Sequence, residues 1–149
     1  MADAASIIPE LEEAVQHGSP ERRGDILERV TTLFLEGASR FNEEHIHLFD
    51  DVFSKLIEEI ETKARAELSR RLAPVANAPR EVVRRLARDD DIAVAGPVLA
   101  QSLRLADEDL LDIAGSKGQG HLFAISGRNG LGESITDILV DRGDRDVVR

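Results

Sequence analysis

Val83-Arg84-Arg85-Leu86-Ala87, Leu110-Leu111-Asp112-Ile113-Ala114 and Ile135-Thr136-Asp137-Ile138-Leu139 are three copies of one short pattern, and their spacing decides the fold. Aligned on Leu86, Ile113 and Ile138, the copies stand 27 and then 25 residues apart. Within each, apolar side chains recur three and four positions apart, which places them on one face of a helix. A second apolar block follows the first two copies, Val94-Ala95-Gly96-Pro97-Val98-Leu99 and His121-Leu122-Phe123-Ala124-Ile125-Ser126. After the third copy the sequence stops inside the corresponding block, at Val147-Val148-Arg149. A helix pair that returns at this period is the signature of an α-solenoid, in which each unit buries its apolar face only against its neighbours.

Upstream of Pro74 the helices read as longer. A first helix is expected from Ser6 to about His17, with Ile7, Leu11 and Val15 on one side. Ser19-Pro20-Glu21 then has the order of an N-cap, a proline in the first turn and an acid near the positive end of the helix dipole. Gly37 ends that helix, and Asn42 caps a third. The third carries an apolar face from Ile46 to Leu72; unbroken from Glu43 to Ala73 it would span about 45 Å. Past Pro74, Asn77-Ala78-Pro79 opens one short helix, Asp91 caps the next, and Pro97 keeps that one short or kinked. Asp107 is expected to cap the following helix, and Gly143 to stop the last one. The 149 residues read as one all-helical domain, with a long-helix half at 1–74 and short repeats at 75–149, the last of them truncated.

Composition excludes several classes of function. Without cysteine there are no disulfides, thiolate metal sites or cysteine nucleophiles. A net charge of -10 disfavours a general nucleic-acid or anionic-membrane surface, and five Phe with no Trp or Tyr leave almost no stacking platform for bases. The expected setting is cytoplasmic, because Met1-Ala2-Asp3-Ala4-Ala5-Ser6 has no basic leader and no later stretch is long and apolar enough for a membrane span. Acids are concentrated early, with 16 against 9 basic residues through Pro74 and 13 against 10 after it.

Set side by side, Asn77-Ala78-Pro79, Leu86-Ala87-Arg88-Asp89-Asp90, the two apolar blocks and Asp141-Arg142-Gly143-Asp144 resemble a bacterial, mainly alphaproteobacterial, family catalogued as domain of unknown function 2336. The similarity runs from about Arg22 to Arg149. It implies a right-handed α-solenoid of HEAT-like helical hairpins with no assigned activity, cofactor or catalytic residue. It also implies further repeats past Arg149, so that the chain reads as part of a longer protein or as a short member.

Three sets of residues carry candidate chemistry. Lys117, Gln119 and His121 in the turn Ser116-Lys117-Gly118-Gln119-Gly120-His121, with Arg128 nearby, form a candidate anion site at a helix start. The glycine order is not that of a phosphate loop, and the competing role is a structural turn in which Ser116 or Gln119 caps a helix and His121 bonds between repeats. Arg80, Arg84 and Arg88 are the candidate partner-binding face, set against ordinary solvated charge. Glu43, His47 and Asp51 follow one helix face, and Glu44-His45-Ile46-His47 has the form of a metal-binding Glu-x-x-His pair. A di-iron bundle needs a second such pair, which is absent, so a solvated face is expected and no metal is assigned. Adjacent acids such as Asp50-Asp51 and Glu58-Glu59 are likewise expected in solvent. The expected function is a non-enzymatic scaffold that binds a protein partner through either the concave surface of the C-terminal repeats or the long helix from Glu43 to Ala73. Val147 and Val148 are expected either in a self-contact, which would make a homodimer, or packed back on the preceding unit. A small-molecule or anion sensor centred on Lys117 to His121 is the alternative, and a divalent-metal protein using His47 the weaker one.

Overall fold

The structure, a computed structural model, describes residues 19–58, 60–128 and 130–143. Both the expected Ser6 to His17 helix and the Val147-Val148 pair lie outside them. The described residues form eight α-helices and no strand: α1 Pro20–Gly37, α2 Glu43–Ile57, α3 Thr62–Leu72, α4 Arg80–Ala87, α5 Ile92–Gln101, α6 Asp107–Ser116, α7 Gln119–Ser126 and α8 Glu133–Arg142.

Several helix starts follow from one side chain each. Ser19 Oγ accepts the Arg22 N–H at 3.2 Å, and Asp91 Oδ1 accepts the Ala93 N–H at 3.0 Å. Asn42 Oδ1 accepts the His45 N–H at 2.9 Å, while His45 Nδ1 accepts the Asn42 N–H in return. Caps of this kind each stabilise a helix by about 1 kcal/mol. The start of α6 differs from expectation by one residue. Its N-cap is Ala106, and Asp109, three positions on, accepts the Ala106 N–H at 3.2 Å. Pro97 stands inside α5 and deprives the Ala93 carbonyl of its usual donor, in keeping with a helix of 10 residues.

The long third helix does not exist as one rod. It breaks between Glu58 and Glu61, where neither proline nor glycine occurs, and Glu61 takes an extended conformation as N-cap of α3. Electrostatics favours the break, because glutamate opposes the dipole at the end of α2 and suits the start of α3. Arg65 holds it, donating from Nη1 to the Ile60 carbonyl at 2.6 Å and from Nη2 to Thr62 Oγ1 at 3.1 Å. Folding back lets the apolar stripes of both halves share one core; a continuous rod would strand one of them.

Helices two apart in sequence stand side by side. α2 packs on α4, and α6 on α8; in the other row α3 packs on α5, and α5 on α7. The connections α3–α4, α4–α5, α6–α7 and α7–α8 join one row to the other, and α1 lies against α2 and borders a groove with α3. The three sequence copies therefore occupy α4, α6 and α8 of one row, and the following apolar blocks occupy α5 and α7 of the other. The change of style at Pro74 is not a structural boundary, since α2 and α3 continue the same arrangement. A single cluster of buried apolar side chains runs from Ile26 to Leu139. Three of its members, Phe34, Phe49 and Phe53, gather where α1 meets α2 with the partly buried Phe41 packed against them, and Phe34 stands edge-on to Phe49 at 5.1 Å between ring centroids.

Gly37 sits against that cluster. A Cβ there would lie 2.4 Å from the Phe41 ring, which is itself held between Phe34 and Phe49. Gly24, in the middle of α1, has open space around it. Gly37→Ala is therefore expected to destabilise the fold by about 1–2 kcal/mol, and Gly24→Ala to stabilise it by up to about 1 kcal/mol through helix propensity. Urea unfolding of the two variants measures both, and equal effects would contradict the packing described.

Candidate functional site

The turn Asp89-Asp90-Asp91 between α4 and α5 is built to begin a helix, and it collects cations from two other elements. Asp89 Oδ1 accepts the Asp91 N–H at 2.9 Å, which fixes the turn. Arg65 of α3 donates from Nε to Asp89 Oδ2 at 3.1 Å. Lys117, between α6 and α7, pairs with Asp90 and holds that carboxyl below the usual carboxylate range, by hydrogen bond and by charge. His121 is 5% exposed and its Nε2 lies 2.8 Å from the Asp89 carbonyl oxygen, so Nε2 carries the proton and donates it. Counting back 27 residues, His121 takes the place that Val94 holds in the preceding unit. It is a core position given a polar tip.

The four residues expected at an anion site do not converge. Lys117 and His121 meet neighbouring residues of the acidic turn, at the N-terminal end of α5. Arg128 reaches the C-terminal end of the same helix, donating to the carbonyls of Leu99 at 2.6 Å and Ser102 at 2.5 Å. Ten residues of helix, about 15 Å, separate the two ends. Burial pushes the Arg128 guanidinium below its usual value, although the carbonyl oxygens around it suit a cation. Gln119 Nε2 donates to the Arg142 carbonyl at 2.7 Å. Neither Ser116 nor Gln119 caps a helix: Gly118 is the N-cap of α7, and Ser116 Oγ donates to the Asp112 carbonyl.

Arg128 is one of three arginines with the same task. Arg85 of α4 donates to the Ser54 carbonyl near the end of α2 at 3.0 Å, and Arg142 of α8 donates to the carbonyls of Ala114 and Lys117 at the end of α6. Each ties a helix end to the helix two along, where unpaired carbonyls and the negative end of the dipole await a cation. Arg104 makes a related bond to the Ala78 carbonyl at 2.7 Å.

Carboxylates serve the same joints. Asp109, 5% exposed, receives Arg84 Nε and Arg88 Nη2, both at 3.0 Å, besides the Ala106 N–H. Burial raises the Asp109 pKa, but the Arg88, Ala106 and Arg84 hydrogen bonds outweigh it and leave the carboxyl below its usual range. Two of the three arginines expected at a partner surface are thus turned onto α6, while Arg80 borders a groove between α2 and α4. Asp50, expected in solvent, is 7% exposed and reaches from α2 to cap α4, accepting the N–H groups of Glu81 at 3.0 Å and Val82 at 2.9 Å. Burial pushes its pKa up, against the lowering effect of those two bonds.

The groove between α2 and α4 has a volume of about 580 Å³, with Glu44, Ile46 and His47 on one wall and Arg80 and Glu81 on the other. His47 is exposed there. Among the described residues no set of three His, Cys, Asp or Glu side chains is placed to hold a metal ion, and no helix is long and apolar enough to cross a membrane.

The carboxylate of Asp109 can be tested by pH. Its folded pKa lies below the unfolded value of 3.8, so its contribution is present above that value and is lost as pH falls through the folded pKa. Asp109→Asn is expected to flatten this part of the acid unfolding profile. Asp109→Ala is expected to cost about 2 kcal/mol at pH 7 by removing charge-assisted hydrogen bonds. An unchanged acid limb in the Asn variant would show that Asp109 is not the group responsible.

The model of a bacterial family described as an uncharacterised protein conserved in bacteria, DUF2336, matches residues 94–149. The match begins within α5 and takes in α6, α7 and α8. Neither the curated proteins nor the solved structures gave a match.

Proposed function

We propose that the chain is a non-enzymatic helical-repeat scaffold, a right-handed α-solenoid of HEAT-like hairpins in one domain, that binds a protein partner in the cytoplasm. The observation that carries this is the row-by-row use of charged side chains. Arg84, Arg85, Arg88, Arg128, Arg142, Asp50 and Asp109 are all engaged in joining one helix to another. Such joints make a stiff support, and repeat scaffolds of this kind offer an extended surface rather than a chemical centre. The partner surface is the groove between α2 and α4, one wall of which, with Glu44, Ile46 and His47, belongs to the stretch Glu43 to Ala73, while Arg80 and Glu81 of α4 form the other. Lys117, Gln119, His121 and Arg128 already bond within the fold, so no observation favours the sensor over the scaffold.

Affinity capture of the full protein from its own cells tests the proposal when paired with Glu44→Arg, a reversal at an exposed position on the groove wall. The expected result is one abundant partner whose recovery falls at least about tenfold in the variant, the equivalent of about 1.4 kcal/mol. Inorganic phosphate provides the opposing arm. A melting-point rise with phosphate that disappears in Lys117→Ala, together with no captured partner, would replace the scaffold with the sensor.

A further inference from the structure

In the row of α3, α5 and α7 each helix closes on the next, whereas α1 and α3 leave a groove between them. The groove consists of two hollows, of about 230 and 90 Å³, that meet at Gly24 of α1 and Ala64 of α3. A Cβ on Gly24 would touch nothing within 4 Å, so the passage between the hollows is open. Ile60 lines the first hollow and Leu27 and Leu68 the second, all three held in place by the core. Each hollow also has a glutamate on both walls: Glu21 and Glu61 beside the first, Glu28 and Glu67 beside the second. Glu67 pairs with Arg70, and Arg71 borders the far end. Glu21, Glu28 and Glu61 are exposed and have no ion pair among the described residues. Their own helices offer none: Gly24 and Thr32 stand four positions from Glu28, and Arg65, one turn from Glu61, is turned onto the Ile60 carbonyl and Asp89.

We infer that this groove takes an amphipathic helix of a basic partner protein, with two apolar side chains in the hollows and Lys or Arg on both flanks. Charge selects the occupant. Glutamates facing each other across an apolar floor repel, and a helix that brings cations to both walls while filling the floor relieves that repulsion. Spacing agrees. The hollows lie on either side of Gly24, about one turn apart, which matches apolar residues at i and i+4 of an incoming helix. Glu21 and Glu28 are seven residues apart and Glu61 and Glu67 six, so on each wall the carboxylates stand about 10 Å apart, the reach of cations two turns apart on the occupant. The chain's own N-terminal segment is a poor occupant. Ile7, Leu11 and Val15 have the apolar spacing, but Glu10, Glu12 and Glu13 accompany them and no Lys or Arg precedes Arg22. The groove between α2 and α4 differs in kind, because Arg80 and Arg104 stand among its acids. The two surfaces are separate, and the inference does not depend on the partner proposed for the other.

A fluorescent peptide of about 15 residues, long enough to be helical, tests the inference by anisotropy against the full chain. It is built of Leu, Ala and Lys, with Leu at i and i+4 and Lys on both flanks. The expected Kd is about 1–100 μM at low salt, rising as salt screens the ion pairs. Glu28→Lys is expected to weaken binding at least about tenfold. Gly24→Leu, which fills the passage without changing charge, is expected to do the same. Glu44→Arg makes an equal charge reversal on the other groove and is expected to change the Kd by less than about twofold. Circular dichroism confirms that the variants fold. Equal binding of a peptide with the same composition in permuted order, or indifference to Gly24→Leu, would overturn the inference in favour of bulk charge attraction. An equal loss in Glu44→Arg would overturn it in favour of the groove between α2 and α4. Tighter binding by at least about tenfold in a full chain carrying Leu11→Glu would overturn it by assigning the groove to residues 6–17. Capture of a partner through the other groove reads out separately.

Discussion

An α-helix leaves its last four carbonyls without partners in its own backbone, and a fold made of helices 8 to 18 residues long meets that deficit at every turn. Here the answer comes from the helix two along. Arg85 serves the end of α2, Arg128 the end of α5 and Arg142 the end of α6. A guanidinium suits this role because it carries five donors in a fixed plane, remains charged when partly buried, and meets both the orphan carbonyls and the negative end of the dipole. The side-by-side packing within each row brings those donors within reach. Apolar burial supplies most of the stability of such a stack, and the arginines fix how each helix is set against the next.

The same joints show two buried aspartates shifted in opposite directions. Asp50 receives only backbone N–H groups, which do not make up for the loss of water, and its pKa rises. Asp109 receives an N–H and two guanidinium groups, and its pKa falls. Their pH dependences accordingly have opposite sign. Asp50 favours the folded state most when protonated, so its contribution declines as pH rises through its folded pKa, whereas that of Asp109 appears as pH rises from below. The two arginines at Asp109 and the deeper desolvation of Asp50, beside Glu81 and Asp51, push the two groups apart.

Helix type and order were legible in the sequence because apolar side chains recur at helical spacing and because Ser19, Asn42 and Asp91 stand where an N-cap must stand. The break at Glu58–Glu61 was not. Ile57, Ile60, Ala64 and Leu68 continue the stripe across it, and only the charge of the glutamates, a weak local signal, argues for a stop. Asp50 and Asp109 look like surface acids because, apart from Ala106, their partners lie 21 to 32 residues away, and helix periodicity carries no information over that distance. One sign was available: both sit beside strong apolar positions, Asp50 next to Phe49 and Asp109 next to Leu110. The arginines of 80–88 were legible as a cluster but not as a joint, since a polar helix face reads alike whether it meets water or the next helix. Lys117 and His121 both reach the acidic turn before α5, Lys117 from the α6–α7 connection and His121 from within α7, whereas Arg128 meets the other end of α5.

Because each helix leans on neighbours two along, cooperativity in this molecule is short-ranged. α5 is enclosed by α3, α4 and α7, whereas α8 rests on α6 and α7. Among the described residues, amide hydrogens in α5, enclosed by three helices, are consequently expected to exchange only when several of them open together. Opening in such a stack is graded by how many helices enclose each one, and a helix with fewer neighbours can open while α5 stays closed.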